Sequence, residues 1–423
     1  MNRALFTRAE DIQRVRLADG TILVSQVVPD ALSVSVGFWV KSGSRDEGPG
    51  QHGITHFLEH MVFKGTETRS ALDIALAMDR VGGQLDAFTT KEITCFSARV
   101  LAEYFDPALD LLADLLTRPV LAPAMVELEK GVVVEEIQSV LDDPDDWIHD
   151  LASAEVFDGH PLARPILGEA DAVRAFTPES LRAYLREHYT SGKLVVAVAG
   201  PLPHARVQEG IAAALAPPSG PGPERAGAAP PPAARRLRVV EKDLQQQHLW
   251  LGRRGLGAAD PDRYGLLLLG TLLGGSMSSR LFQAIREEAG LAYSVYSFSD
   301  FASDTGLLGT YMAVSPRRTE EALRRTLDEF VALIAKGPTS EELEDTKMQL
   351  KGNMLLAMES VTARMNRLAR TEINEGRHVG VDELVARVER VGVDDIRRLA
   401  AEYLDPERLV LVSLGPAPQT GPF

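Results

Sequence analysis

The sequence predicts an α+β chain made by tandem duplication of one α/β unit, and three observations carry that prediction. Apolar residues recur with the two-residue period of strands in some segments and the 3.6-residue period of helices in others, in alternation along the chain. Between positions 216 and 236 the composition turns to Pro-Pro-Ser-Gly-Pro-Gly-Pro and then Ala-Ala-Pro-Pro-Pro, which can bury no core and reads as a linker. On either side of it, landmarks repeat at a constant spacing of 215 residues. Pro123, Glu127 and Glu129 answer to Pro338, Glu342 and Glu344, and Pro178-Glu-Ser-Leu answers to Val393-Asp-Asp-Ile. Leu194-Val-Val-Ala-Val-Ala-Gly-Pro answers to Leu409-Val-Leu-Val-Ser-Leu-Gly-Pro in the same register. The domains are therefore read as 1–215, a linker 216–236, and 237–423, in keeping with 423 residues being long for one core.

In chain order, residues 15–24 read as a hairpin turning at Asp19-Gly20. Leu32, Val34, Val36, Phe38 and Val40 alternate with other residues, the period of a strand. After a loop from Gly43 to Gly53, the stretch from His56 is free of Gly and Pro until Gly65 and can be helical. A second helix near 71–81 ends at Gly82-Gly83, and two strands follow, 84–89 and 93–100, joined at Thr90-Lys91-Glu92. Helices are expected over 107–116, 123–141, 147–156 and 178–188, before a strand at 194–199 closes the first half.

Composition excludes several classes of function. A net charge of −15 is the wrong sign for a nucleic-acid partner, because phosphate binding needs a basic surface. The chain is 45% hydrophobic, as globular proteins are, yet holds no run of eighteen apolar residues to span a membrane. The opening stretch Met1 to Glu10 lacks the apolar run of a signal peptide, and the single cysteine, Cys95, rules out an intrachain disulfide. A cytoplasmic, reducing location is the expectation.

The chemistry is concentrated in His52-Gly-Ile-Thr-His56-Phe-Leu-Glu59-His60-Met-Val-Phe-Lys64-Gly-Thr. On a helix, positions i, i+3 and i+4 share one face, so His56, Glu59 and His60 point the same way. Two imidazoles one turn apart can both reach a cation that needs nitrogen at ~2.0–2.1 Å, with the carboxylate beside the water it carries. A catalytic zinc commonly takes three protein ligands, so a third should come from another element. Glu129 and Glu136 are candidates, two turns apart on one helical face whose apolar side is marked by Val126, Val133, Ile137 and Val140. The other reading of the acidic run from Glu127 to Glu136 is a solvated helix face, the usual meaning of such a run.

The inverted order His-x-x-Glu-His, with the flanking Met-Val-Phe-Lys-Gly-Thr, is the inverzincin signature and resembles the pitrilysin/insulinase family of zinc peptidases, which includes mitochondrial processing peptidase. The resemblance implies two homologous domains, each a mostly antiparallel mixed sheet with helices packed on it. It implies one Zn²⁺ per chain held by His56, His60 and Glu136, since Glu136 follows His60 by 76 residues, within the family's spacing of some 74–76. Glu59 would be the general base, and Glu129, one heptad before Glu136, would orient a histidine. His52, one turn before His56 but in the loop before Gly53, is the less suited third ligand.

The family's edge strand pairs with the substrate backbone, and its usual Asn-Ala reads Asp86-Ala87 in this chain. That departure keeps the backbone pairing and puts the side-chain contact in question. In the second half Lys351 stands 215 residues after Glu136, so no second zinc is expected. An Arg-x6-Tyr pair from that half, Arg286 and Tyr293, is implied to reach the zinc site and stabilise the oxyanion or the substrate backbone, with Tyr296 the neighbouring rival. The implied activity is zinc endopeptidase cleavage of unfolded peptides or presequences in a closed chamber. A homodimer is the expected assembly, with a heterodimer of related chains as the other arrangement. The competing reading is a structural or regulatory homologue that keeps the fold without turnover.

Overall fold

The computed structural model describes residues 10–225, 227 and 235–416. Its first half supplies β1 (Asp11–Arg16), β2 (Ile22–Val27), β3 (Ser33–Val40), β4 (Gln84–Thr89), β5 (Thr94–Leu101) and β6 (Leu194–Gly200). The helices there are α1 (Ile54–Val62), α2 (Ala71–Asp79), α3 (Phe105–Thr117), α4 (Pro123–Asp142), α5 (Pro144–Val156), α6 (Ala170–Ala175), α7 (Pro178–His188) and α8 (His204–Ala214). The second half supplies β7 (Arg236–Glu241), β8 (Gln247–Gly255), β9 (Ala292–Phe301), β10 (Gly306–Val314) and β11 (Val410–Gly415). With them come α9 (Arg263–Gly274), α10 (Thr319–Lys336), α11 (Ser340–Ala357), α12 (Val361–Glu375), α13 (Val381–Glu389) and α14 (Val393–Tyr403).

Two compact units result, and the duplication is visible in their sheets. The first has strand order β1-β2-β6-β3-β5-β4 and the second β7-β11-β8-β10-β9. In the first, β2 runs parallel to β6, and the pairs β6–β3, β3–β5 and β5–β4 are antiparallel. In the second, β7 runs parallel to β11, and β11–β8, β8–β10 and β10–β9 are antiparallel. The order and sense are the same, with β1 an addition to the first sheet. The α+β class and the mostly antiparallel mixed sheets are therefore as expected.

The units do not follow the linear halves throughout. The first unit includes residues 355–382, and the second includes 139–164. Thus α12, from the second half, covers one face of the first sheet: Val361, Met365, Leu368 and Ala369 pack on Ile22, Val24, Trp39, Val195 and Ala197. Correspondingly α5, from the first half, covers the second sheet, where Ile148, Leu151, Ala152 and Val156 pack on Trp250, Tyr311, Val410 and Val412. Each buried Val, Leu or Met side chain in such a layer is worth about 1.5–3 kcal/mol. Gly37, in the middle of β3, leaves room for its neighbours, since a Cβ there would lie 2.7 Å from the Trp39 indole nitrogen and 2.9 Å from the Met365 sulfur of α12, and both side chains would have to shift.

This second layer explains the burial of β3. The alternation from Leu32 to Val40 is a strand as expected, but Val34 through Val40 are buried on both faces and Leu32, outside the strand, is 82% exposed. A central strand with helices on both faces has no solvent side. The expected linker, 216–236, is bounded by structure at both ends. Its first residues lie along the first unit, with Arg225 bonded to Asp46 at 2.9 Å, and Arg236 already belongs to β7. Residues 226 and 228–234 of it fall outside the described residues. Among the described residues, no helix is long and apolar enough to cross a membrane.

Candidate metal centre

The centre is built on α1, and the residues before it fix where the helix begins. Gly53 takes φ = 93°, and a Cβ there would meet the Leu167 carbonyl oxygen at 2.4 Å, so the entry accepts glycine alone without rearrangement. The buried Glu47 carboxylate accepts the N–H groups of Gly53 (2.8 Å) and Thr55 (3.0 Å), placing negative charge at the helix start, where the dipole favours it. Ile54, Phe57, Leu58, Met61 and Val62 are 0–1% exposed and lock one side of the helix into the core. The other side presents His56, Glu59 and His60.

α4 brings the carboxylates to that side. Glu136 Oε2 lies 3.8 Å from His56 Nε2 and 3.6 Å from His60 Nε2, and one donor atom from each of the three residues falls within 4.8 Å of the others. Ligands bound tetrahedrally at ~2.0–2.1 Å sit about 3.3–3.4 Å from one another, so the two distances from Glu136 are close to those zinc requires. Glu136 Oε2 is buried and receives no hydrogen bond, a costly state for a carboxylate oxygen that a cation would relieve. Burial first, and then the charge of His60, pushes the His56 imidazolium down to about 4, so at neutral pH the ring offers a lone pair. The donor set fits zinc.

Glu129, two turns before Glu136, is 1% exposed, and its Oε1 lies 2.9 Å from His60 Nδ1. An acceptor there places the His60 proton on Nδ1 and leaves Nε2 free to ligate. Exposed Glu127 and Glu135 are the solvated members of the acidic run, while buried Glu129 is not. His52 stands apart from the cluster, its Nδ1 3.9 Å from Glu169.

Glu59 is half-buried and accepts a hydrogen bond from Thr89 Oγ1 at 2.5 Å. Burial raises its carboxyl above the ordinary range, with the Thr89 bond and the His60 charge opposing and the charges of Glu136 and Asp86 adding. Thr89 ends β4, the edge strand of its sheet, whose outer side is unpaired within the unit. Alternation along β4 puts Ala87 and Thr89 on the α1 face and Asp86 with Phe88 on the other, where Phe88 packs edge-on against Trp39 at 5.5 Å. The exposed Asp86 thus stands on the face opposite the histidines.

In the second unit Arg286 and Tyr293 come together, the guanidinium 4.8 Å from the phenol ring centre, with Tyr293 80% exposed at the start of the edge strand β9. Tyr296 is engaged otherwise. Its hydroxyl meets His149 Nε2 at 2.9 Å, the two rings stack, and burial pushes its phenol up to about 12. Lys351, at the position equivalent to Glu136, is ion-paired with Glu389. Two polar contacts of the centre went unassigned in the sequence, Thr89 on Glu59 and Lys64 on Glu129. Lys64 is one helical turn beyond His60, a signal available from spacing; Thr89 carries none.

A family model for insulinase, peptidase family M16, matches residues 23–170, and one for the peptidase M16 inactive domain matches residues 175–350. The chain belongs to the insulinase family, peptidase family M16. An uncharacterized zinc protease of Streptomyces coelicolor is 40% identical over 96% of this chain and 90% of its own. The uncharacterized zinc protease YmxG of Bacillus subtilis is 38% identical over 95% of this chain and 98% of its own. A crystal structure of a peptidase M16 inactive domain from Pseudomonas fluorescens shares the fold, with a TM-score of 0.91 at 22% identity over 97% of this chain and 100% of that one. The M16 motif lies within the first matched region and the Lys351 position just beyond the second.

Proposed function

We propose that this M16 protein is a zinc-dependent endopeptidase acting on unfolded peptides or presequences. The observation that carries the reading is the approach of Glu136 Oε2 to His56 Nε2 (3.8 Å) and His60 Nε2 (3.6 Å), one ligand atom of each residue lying within 4.8 Å of the others, with Glu59 on the same helix face. Zinc, when bound, supplies Lewis acidity and makes a water nucleophilic near neutral pH. Glu59 is the base that takes the proton of the attacking water and returns it to the leaving amine, and the raised affinity for a proton given by burial suits both tasks. Glu129 holds the His60 Nδ1–H and so keeps Nε2 aimed at the metal. Thr89 fixes one oxygen of Glu59.

The open edge β4, with Ala87 on the α1 face, offers main-chain groups to an extended peptide by strand addition. Exposed Tyr293 and half-buried Arg286, stacked on each other, are the side chains we assign to substrate binding. A homodimer is part of this reading, and sedimentation measures it. The test of the chemistry is zinc content by elemental analysis followed by cleavage of fluorogenic peptides with and without chelator. Glu59→Gln should retain zinc and lose cleavage by roughly 10²–10⁴-fold. Zinc uptake with no cleavage of any unfolded peptide would leave the non-catalytic homologue as the better reading.

A further inference from the structure

Lys64 lies outside the ligand set, yet its ammonium nitrogen is 2.7 Å from Glu129 Oε2 while the other oxygen of the same carboxylate meets His60 Nδ1 at 2.9 Å. Glu129 is 1% exposed, so its negative charge sits in a dry place where a partner of opposite charge counts for most. An ammonium at one oxygen and the imidazole at the other oppose rotation of the carboxylate. We propose that Lys64 is a positioning residue of the metal centre, acting on His60 through Glu129.

The loop that carries Lys64 is built to hold it in place. Past the end of α1, the Thr66 hydroxyl donates to the fully buried Asp114 at 2.5 Å, and Glu67 N–H bonds to the Arg118 carbonyl at 3.0 Å. Val120 N–H bonds to the Gly65 carbonyl at 3.1 Å. Residues 118–122 lead directly into α4, which carries Glu129 and Glu136, so these bonds tie the Lys64 backbone to the helix its side chain must reach. Lys64 itself is 30% exposed at the side chain and lines an open cleft with residues 65–70 and 120–122, so its order rests on the ion pair and these pins rather than on core packing.

The inference rests on the zinc reading above, and the experiment separates the two. Zinc dissociation constants are measured on the full chain by competition with a chromophoric chelator, with melting temperature as the control for folding. Lys64→Met should weaken zinc binding by roughly 10–100-fold, the range found when a ligand's hydrogen-bonding partner is disturbed. Lys64→Arg, which keeps a cation within reach of Glu129, should recover most of that loss, and Lys64→Met placed on Glu129→Gln should add nothing to the loss from Glu129→Gln alone. Lys64→Gln carries the same comparison should the methionine variant fail to fold. Zinc binding equal in wild type and Lys64→Met, or an undiminished further loss on the Glu129→Gln background, overturns the inference alone; a wild-type chain that takes up no zinc overturns the zinc reading with it.

Discussion

At the scale of single residues, the centre depends on which atom each carboxylate oxygen faces. Glu129 divides its two oxygens between His60 and Lys64, Glu136 turns one oxygen toward both imidazoles, and Glu59 gives one to Thr89. The Thr89 bond is a hydrogen bond to a charged acceptor, a class worth about 1.5–3 kcal/mol. Thr89→Val, which keeps shape and removes the donor, should therefore lower kcat by roughly 10–100-fold. Zinc stoichiometry should stay unchanged, and Thr89→Ser should stay near wild type. A valine variant with unaltered turnover would remove Thr89 from the machinery. The motif His-x-x-Glu-His was legible because helical spacing alone sets which residues share a face. Thr89 was not; spacing puts Lys64 one turn past His60, but its contact with Glu129, like that of Thr89 with Glu59, joins elements whose approach no local pattern encodes.

At the scale of elements, the junction between α1 and α2 is held by one carboxylate. Asp114, 0% exposed on α3, accepts from Thr66, Thr68 (2.7 Å) and Arg69 (2.7 Å) and faces Arg118 at 2.8 Å. Burial alone would raise its pKa, but the three hydrogen bonds and the Arg118 charge outweigh it and hold the group below the ordinary carboxylate range. A depressed folded-state pKa contributes stability that is present above the unfolded value of ~3.9 and is lost as pH falls through the folded value. The arginines are partly exposed, so removing the carboxylate chiefly leaves its buried hydrogen-bonding partners unpaired, at a cost on the order of 1–3 kcal/mol. Asp114→Asn should accordingly shift the urea midpoint down strongly at pH 7, and the gap to wild type should narrow below pH 4. A gap of the same size at pH 7 and pH 3 would show that the charge is not what matters. Elements such as α4 and α7 were legible to within a residue or so because Pro opens each of them; Asp114 looked like an ordinary acidic residue of a helix.

At the scale of the whole molecule, the duplication is complete in topology and exchanged in one layer. α12 lies on the first sheet and α5 on the second, so neither half of the sequence contains all of a unit. A chain of residues 1–215 lacks α12 and leaves Ile22, Val24, Trp39, Val195 and Ala197 without their cover. Such a fragment should be aggregation-prone or bind a hydrophobic dye, and co-expression with residues 237–423 should suppress this. A soluble, cooperatively melting 1–215 fragment without dye binding would contradict the exchange.

The strands and helices of the first half and the His-Glu-His face follow from the sequence alone, because periodicity and turn residues act over a few neighbours and leave a readable mark; the repeat at 215 residues is read by comparing the two halves, and the choice of Glu136 rests on the family resemblance. The exchange of α5 and α12, the second buried face of β3, the side of β4 on which Asp86 falls, and the partners of Glu129 and Glu59 were decided only in three dimensions. Each is a contact between segments far apart in the chain, selected by which surfaces can be buried together, and an amphipathic helix carries the same pattern whichever sheet it covers.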